Sequence, residues 1–214
     1  MKALRAILIA ALAVSINSGL AGEPNNADYG FPAPGTYALP PLRGAADGAV
    51  LTSEGHATTL HRVFSGKIVV LCFIYTQCRD ARGCPLASAV LAQLRRRVDG
   101  DPVLSQRVRL ISLSFDPAHD TPAVMREYGA RFVREGADWQ FLTAASEAAL
   151  QPILNAYRQT RQKAPGANGK LTTYSHLLRV FLIDEHRSIR NIYSADFLNP
   201  TLLVYDIISL ARKG

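Results

Sequence analysis

Cys72, Cys78 and Cys84 fall within a window of 13 residues, and two of them stand where side-chain chemistry is easily arranged. Ile68 to Tyr75 reads IVVLCFIY, a continuous apolar run that is β-branched at its start, the pattern of a strand buried on both faces. A polar loop follows over Thr76 to Gly83. Pro85 then opens a helix reaching Val98, since the N–H that proline lacks would have no partner in a first turn. Cys78 and Cys84 therefore lie at a strand-to-helix junction, where backbone N–H groups and the helix dipole favour an anion such as a thiolate. With Arg79 and Arg82 in the same loop, one or both thiols are expected to have a lowered pKa and to be reactive or ready for a metal. A structural disulfide, or two unrelated buried thiols, are the plainer alternatives. Cys72 sits mid-strand between Leu71 and Phe73 and reads as a core thiol.

The elements that must hold this loop alternate along the chain. Val108 to Phe115 (VRLISLSF) is a second buried strand, and Asp120, Thr121 and Pro122 supply the cap and first turn of a helix through Val133. Trp139 to Leu142 is a short third strand, and Ser146 caps a helix to Tyr157. Thr160 to Thr173 is polar, with Pro165, Gly166 and Gly169, and reads as an exposed loop or hairpin. Leu177 to Asp184 and Ser188 to Tyr193 form an antiparallel pair around the turn Glu185 to Arg187, before a last helix from Pro200 to Arg212. Ahead of all these, Thr36 to Leu42 and Ala49 to Thr52 look like a short hairpin, with Pro40 and Pro41 confining its first strand to a sheet edge, and Leu60 to Phe64 leads into the first strong strand. Alternating strands and helices imply parallel pairing, and the closing antiparallel pair makes the sheet mixed. The order is that of an α/β, thioredoxin-like domain, a mixed sheet flanked by helices with an N-terminal hairpin extension.

With 214 residues, 48% hydrophobic and 19% charged, the chain has the composition of a globular protein with a real core. Met1 to Ala21 carries Lys2 and Arg5, then the apolar run Ala6 to Val14, then small residues at Gly19 and Ala21, the order of a secretory signal peptide cleaved after Ala21. The interrupted apolar stretch is short of the ~20 residues a spanning helix needs, which favours cleavage over the alternative of an uncleaved membrane anchor. Residues 22–34, with Pro24, Pro32 and Pro34, read as a flexible lead, and residues 35–214 as one domain. Removing residues 1–21 lowers the formal charge from +7 to +5, 22 basic residues against 17 acidic. An exported location, periplasmic or membrane-associated facing the periplasm, disfavours nucleic acid and leaves room for weak attraction to a membrane surface or an acidic partner. In that oxidising compartment thiols tend to be paired, kept reduced for a purpose, or bound to metal.

Three segments resemble the SCO/SenC family. Phe73-Ile74-Tyr75-Thr76-Gln77-Cys78 through Cys84-Pro85-Leu86 is similar to that family's metal loop. Ser114-Phe115-Asp116-Pro117-Ala118-His119-Asp120-Thr121-Pro122 is similar to its DPxRDTP stretch, and Ser175-His176 before Phe181-Leu182-Ile183-Asp184 resembles its single metal-binding histidine ahead of a late strand. The resemblance covers about residues 36–212. It implies a metallochaperone that binds one copper ion, Cu(I) or Cu(II), through Cys78, Cys84 and His176, with enzymatic thiol-disulfide reduction beside that role left open. It also implies a role in assembling the dinuclear copper centre of cytochrome c oxidase, with a copper-accepting subunit of a respiratory oxidase, or another exported copper protein, as partner. Ligand chemistry permits this: two soft thiolates and an imidazole favour copper, whereas structural zinc wants a fourth ligand. Asp116 would be a partner that orients the site.

Two features depart from the family pattern. Five residues, Arg79 to Gly83, separate the cysteines where the family usually has three, which bears on the separation of the sulfurs and their redox potential. His119 stands where the family commonly has arginine and reads as a surface residue at the start of a helix, or more sharply as an accessory metal ligand. His56, His61 and His186 fall in hairpin or turn positions. The chief rival is a thiol-disulfide oxidoreductase acting on cysteines of exported copper proteins, against which stand the five-residue spacing and Ser175-His176 where thioredoxins keep a proline. A peroxiredoxin would want a Thr or Ser where Tyr75 stands and a proline within Lys67 to Phe73, which has none. A purely structural domain held by one disulfide is the last alternative.

Overall fold

The apolar run that leads to the cysteines becomes the centre of the sheet. The computed structural model describes residues 30–134, 136–165 and 172–212, and one compact unit begins at Pro32. The expected signal segment, Met1 to Ala21, and the lead up to Tyr29 lie outside the described residues. The strands are β1 (Arg43–Gly44), β2 (Ala49–Thr52), β3 (Ala57–Thr59), β4 (Ile68–Ile74), β5 (Val108–Ser114), β6 (Trp139–Thr143), β7 (Arg161–Pro165), β8 (Thr172–His176), β9 (Arg179–Ile183) and β10 (Ser188–Ser194). The helices are α1 (Leu60–Phe64), α2 (Cys84–Asp99), α3 (Pro102–Arg107), α4 (Pro122–Ala130), α5 (Glu147–Ala156) and α6 (Pro200–Ala211). Eight strands form one sheet in the order β1-β10-β9-β4-β5-β6-β2-β3, while β7 and β8 pair apart from it.

β4 runs parallel to β5 and β5 to β6, each joined by a helical crossover, whereas β9 returns antiparallel on the other side of β4. Every residue of β4 is 2% exposed or less, as a central strand covered by helices on both faces requires. Phe73, Tyr157 and Phe181 interlock with ring centroids 5.2–6.0 Å apart. Such offset aromatic contacts add to what burial itself contributes.

The N-terminal hairpin is formed by different residues from those expected. Ala49 pairs with Thr59 and Leu51 with Ala57, so the hairpin is β2–β3, and Thr36 to Leu42 is not a strand. Pro40 and Pro41 remove two ladder donors, and side chains fasten this stretch instead. The Tyr37 hydroxyl donates to Asp206 at 2.5 Å, and the Gly35 N–H donates to the Ser209 hydroxyl at 2.8 Å. Leu60 to Phe64 is a helical turn capped by Thr59, and α3 is an additional short helix with Asp101 as its cap and Pro102 in its first turn.

Gly129 on α4 lets that helix lie against the sheet. A methyl group there would stand 2.6 Å from the Phe141 ring, so the ring or the helix would have to shift. Gly129→Ala is expected to lower the unfolding free energy by about 1–3 kcal/mol, read from chemical denaturation, despite alanine's better helix propensity.

Candidate metal centre

The loop that leaves β4 is fastened before the first site cysteine is reached. The Thr76 N–H donates to Asp120 Oδ2 at 3.1 Å and the Thr76 hydroxyl to Oδ1 at 2.5 Å. Ser114, the last residue of β5, donates its hydroxyl to Oδ2 at 2.5 Å. Asp120 is fully buried, and that burial raises its pKa against the lowering effect of the bonds from Ser114 and Thr76. The residue that caps α4 is Thr121, whose hydroxyl accepts from the Val124 N–H, so Asp120 is turned inward to tie the loop to the neighbouring strand.

The five residues between the cysteines are absorbed by a local turn. The Cys78 N–H donates to the Tyr75 carbonyl at 3.2 Å, the Asp80 carboxylate accepts from the Arg82 N–H at 3.0 Å, and the Gly83 N–H donates to the Asp80 carbonyl at 2.9 Å. This is an Asx-type reversal that folds the extra length back on itself. A methyl group on Gly83 would stand 3.2 Å from the Cys78 sulfur, so glycine permits the close approach. Cys84 is the first residue of α2 rather than part of the loop, and it is 1% exposed, while Cys78 is half-buried. All three cysteines are free thiols.

The Cys84 side chain is hydrogen-bonded to Cys78. That bond, then burial, pushes the Cys84 thiol well above its ordinary value. The expected lowering therefore does not hold for Cys84: loss of water and the adjacent sulfur outweigh the helix terminus and the arginines, which lie in exposed parts of the loop. Cys72 is separate, fully buried in β4, and burial pushes its thiol up to about 12, as suits a core residue.

The second part of the region is the β7–β8 hairpin, in which Arg161 pairs with His176 and Lys163 with Tyr174. His176 is thus the last residue of β8, a short step ahead of β9, and its side chain lies outside what the structure describes. Tyr174 docks the hairpin. Its hydroxyl donates to Asp116 Oδ1 at 3.1 Å, its N–H donates to the Tyr75 hydroxyl at 3.4 Å, and its ring meets Tyr75 and Phe115 edge-on at 5.2 and 5.4 Å. Burial, then Asp116, pushes the Tyr174 phenol up to about 12. Arg161 lies 5.1 Å over the Tyr174 ring, donates to the Phe115 carbonyl and pairs with Glu147. Tyr75 also contacts Cys78, so one aromatic cluster touches both the cysteine loop and the strand that ends at His176.

Cys78 and Cys84 are thus brought together, and Asp116 reaches the His176 strand through Tyr174. Among the described residues no three His, Cys, Asp or Glu side chains gather into a ligand set. His119 is exposed and lines a small cleft with Thr76 and Gln77. His56 and His186 are exposed, and the His61 imidazole is engaged with the Ala45 carbonyl at 2.8 Å. Tyr174 and Arg161 were not legible as site residues from the sequence.

Residues 49–212 match the SCO1/SenC family model. The chain belongs to the SCO1/SenC family. A SCO1 protein homolog from Bacillus subtilis (strain 168) is 26% identical over 102 residues, 47% of this chain and 50% of the relative, so the match spans half the length of that protein. The copper-bound ScoI of Arabidopsis thaliana superimposes with a TM-score of 0.69 at 19% identity, covering 79% of this chain and 99% of the other. The copper-bound ScoI of Bradyrhizobium japonicum gives 0.66 at 23% identity, with 79% and 99% covered. The fold of this SCO1/SenC chain is thioredoxin-like, and the strand-to-helix junction bearing Cys78 and Cys84 lies within the matched residues.

Proposed function

We propose that this SCO1/SenC protein is an exported copper carrier that binds one copper ion through Cys78, Cys84 and His176 and assists assembly of the dinuclear copper centre of cytochrome c oxidase. The observation that carries this reading is the contact between the Cys78 and Cys84 side chains at the head of α2. Two soft sulfur donors in contact, one deeply buried, with no third His, Cys, Asp or Glu side chain gathered with them among the described residues, suit Cu(I). Among the described residues no helix is long and apolar enough to cross a membrane. Export is read from Met1 to Ala21, and mature protein is expected to begin at or near Gly22. Anaerobic Cu(I) titration of the mature protein is expected to saturate at one copper per chain with a sulfur-rich X-ray absorption signature. Saturation without sulfur ligation would end the reading.

Copper affinity should depend on pH with a definite sign. Because the raised Cys84 pKa keeps its proton on through neutral pH, binding by both thiolates must displace it. Apparent affinity is then expected to rise with pH, by about tenfold per unit for each proton displaced. A competition titration at pH 6, 7 and 8 checks this, and a flat profile would mean that Cys84 does not ligate.

One observation favours a second reading. A half-buried Cys78 beside a buried, protonated Cys84 is also the arrangement of an attacking thiol and its resolving partner, so thiol-disulfide exchange on cysteines of an exported copper protein is the alternative.

A further inference from the structure

The end of the sheet that carries the cysteine loop also carries exposed apolar side chains that the fold does not use. Pairing of Cys72 with Val180, and of Ser194 with Arg179, places the end of β4, the start of β9 and the end of β10 together. Leu177, which follows His176, is 56% exposed, and Phe197, in the 3-10 turn Ala195–Phe197 after β10, is 70% exposed. That turn is tied to the cysteine loop by the Arg82–Asp196 ion pair at 2.7 Å. Phenylalanine at this exposure has forgone most of the benefit of burial, and apolar side chains gathered at one surface mark a site that another molecule covers.

Charge decides what kind of molecule. Arg79 lies next to Cys78, and Arg158 lies beside the start of β9, where its carbonyl accepts from the Arg179 guanidinium at 2.6 Å. Both are exposed, and among the described residues neither guanidinium has a hydrogen bond or ion pair. Of the acidic groups nearby, Asp196 pairs with Arg82, Glu147 with Arg161 and Asp116 with Tyr174, while the exposed Asp80 carboxylate accepts the Arg82 N–H and has no ion pair among the described residues, one negative charge against those of Arg79 and Arg158. The uncompensated charge at this end is therefore positive.

The geometry points to the face bearing Leu177, Phe197, Arg79 and Arg158 as the docking surface for a copper-accepting protein whose own contact face is apolar and bordered by carboxylates. This deepens the copper-carrier reading and rests on it. Such a partner would bury Phe197 and Leu177 at the centre while the arginines steer its approach, and the cysteine loop would lie under the contact.

The probe is the metal-free soluble copper domain of the host's own cytochrome c oxidase, titrated into isotopically labelled full-length mature protein and followed by NMR. Amide shifts are expected to concentrate at residues 77–83, 177–179 and 194–198. Phe197→Ser and Arg158→Glu are each expected to weaken the complex about tenfold, the latter chiefly at low salt, while Cu(I) affinity measured by competition stays at the parent value. Shifts on another face, no complex, or variants that bind like the parent would overturn the docking surface. Copper transfer read in the same samples tests the carrier reading separately, since docking without transfer would sink that reading and leave the surface standing.

Discussion

His176→Ala is expected to weaken Cu(I) binding at least about a hundredfold and change the metal's absorption spectrum, while Cys78 and Cys84 still form a disulfide on mild oxidation. The magnitude follows from the proposed ligation: even partners that only support a ligand are worth about 10–100-fold in metal affinity, so losing one of three proposed ligands costs at least the upper end. The contrast follows from the architecture. The contact between the two cysteines is set by the Asp80–Gly83 turn, the start of α2 and the anchoring of Thr76 on Asp120, through hydrogen bonds within the loop and to Asp120. The end of a two-stranded hairpin outside the main sheet also carries little of the global stability.

Cys78→Ser and Cys84→Ser should remove both properties, because each takes away one thiolate from the metal and one sulfur from the bridge. Competition titration with a Cu(I) chelator and mass spectrometry of the oxidised protein read the two effects independently. If His176→Ala kept the parent's copper affinity and thiol-disulfide turnover on a partner protein stayed high, the oxidoreductase reading would replace the carrier. A bridge from Cys72 to either partner would contradict its place in β4, where it is fully buried.

The parts of the fold legible from the sequence were those whose cause is local. IVVLCFIY and VRLISLSF are strands because continuous apolar runs of that length have nowhere else to go, and α2 and α4 carry their prolines in the first turn. The junction that carries Cys78 and Cys84 was legible because it is local, whereas the sequence leaves open the separation of their sulfurs across five residues. What escaped was decided by tertiary contact. Asp120 has the residue type of a cap and was read as part of one, but the fold buries it under Thr76 and Ser114. The Cys84 thiol looked activated from its neighbours in sequence, yet its pKa is governed by a sulfur and by burial that only the folded chain supplies. Thr160 to Thr173 reads as a loop or hairpin and its flanks do form a hairpin, but the docking of that hairpin was hidden, because Tyr174 meets Tyr75 and Phe115, residues about 60 to 100 positions away.

Tyr174 carries the second large expected effect. Tyr174→Ala is predicted to weaken copper binding about 10–100-fold without removing any proposed ligand. A two-stranded hairpin is marginal by itself in water, so β7–β8 depends on what it docks against. The dock is the Tyr75–Phe115–Tyr174 cluster, closed by the Tyr174–Asp116 hydrogen bond and by Arg161 over the ring. Alanine deletes the ring that all of these meet, at a cost of about 2–4 kcal/mol to the docked hairpin, and the backbone of His176 two residues on is released with it. Tyr174→Phe separates packing from hydrogen bonding: it keeps the ring and leaves Asp116, 6% exposed, without its phenol partner, for about 1 kcal/mol and at most about a tenfold loss of copper affinity. Hydrogen exchange gives the readout that a change in global stability would not mimic, with amide protection lost across 161–165 and 172–176 in Tyr174→Ala and retained in β4 and β5. If Tyr174→Ala left both the hairpin amides and the copper affinity at parent values, the docking cluster would have no part in copper binding.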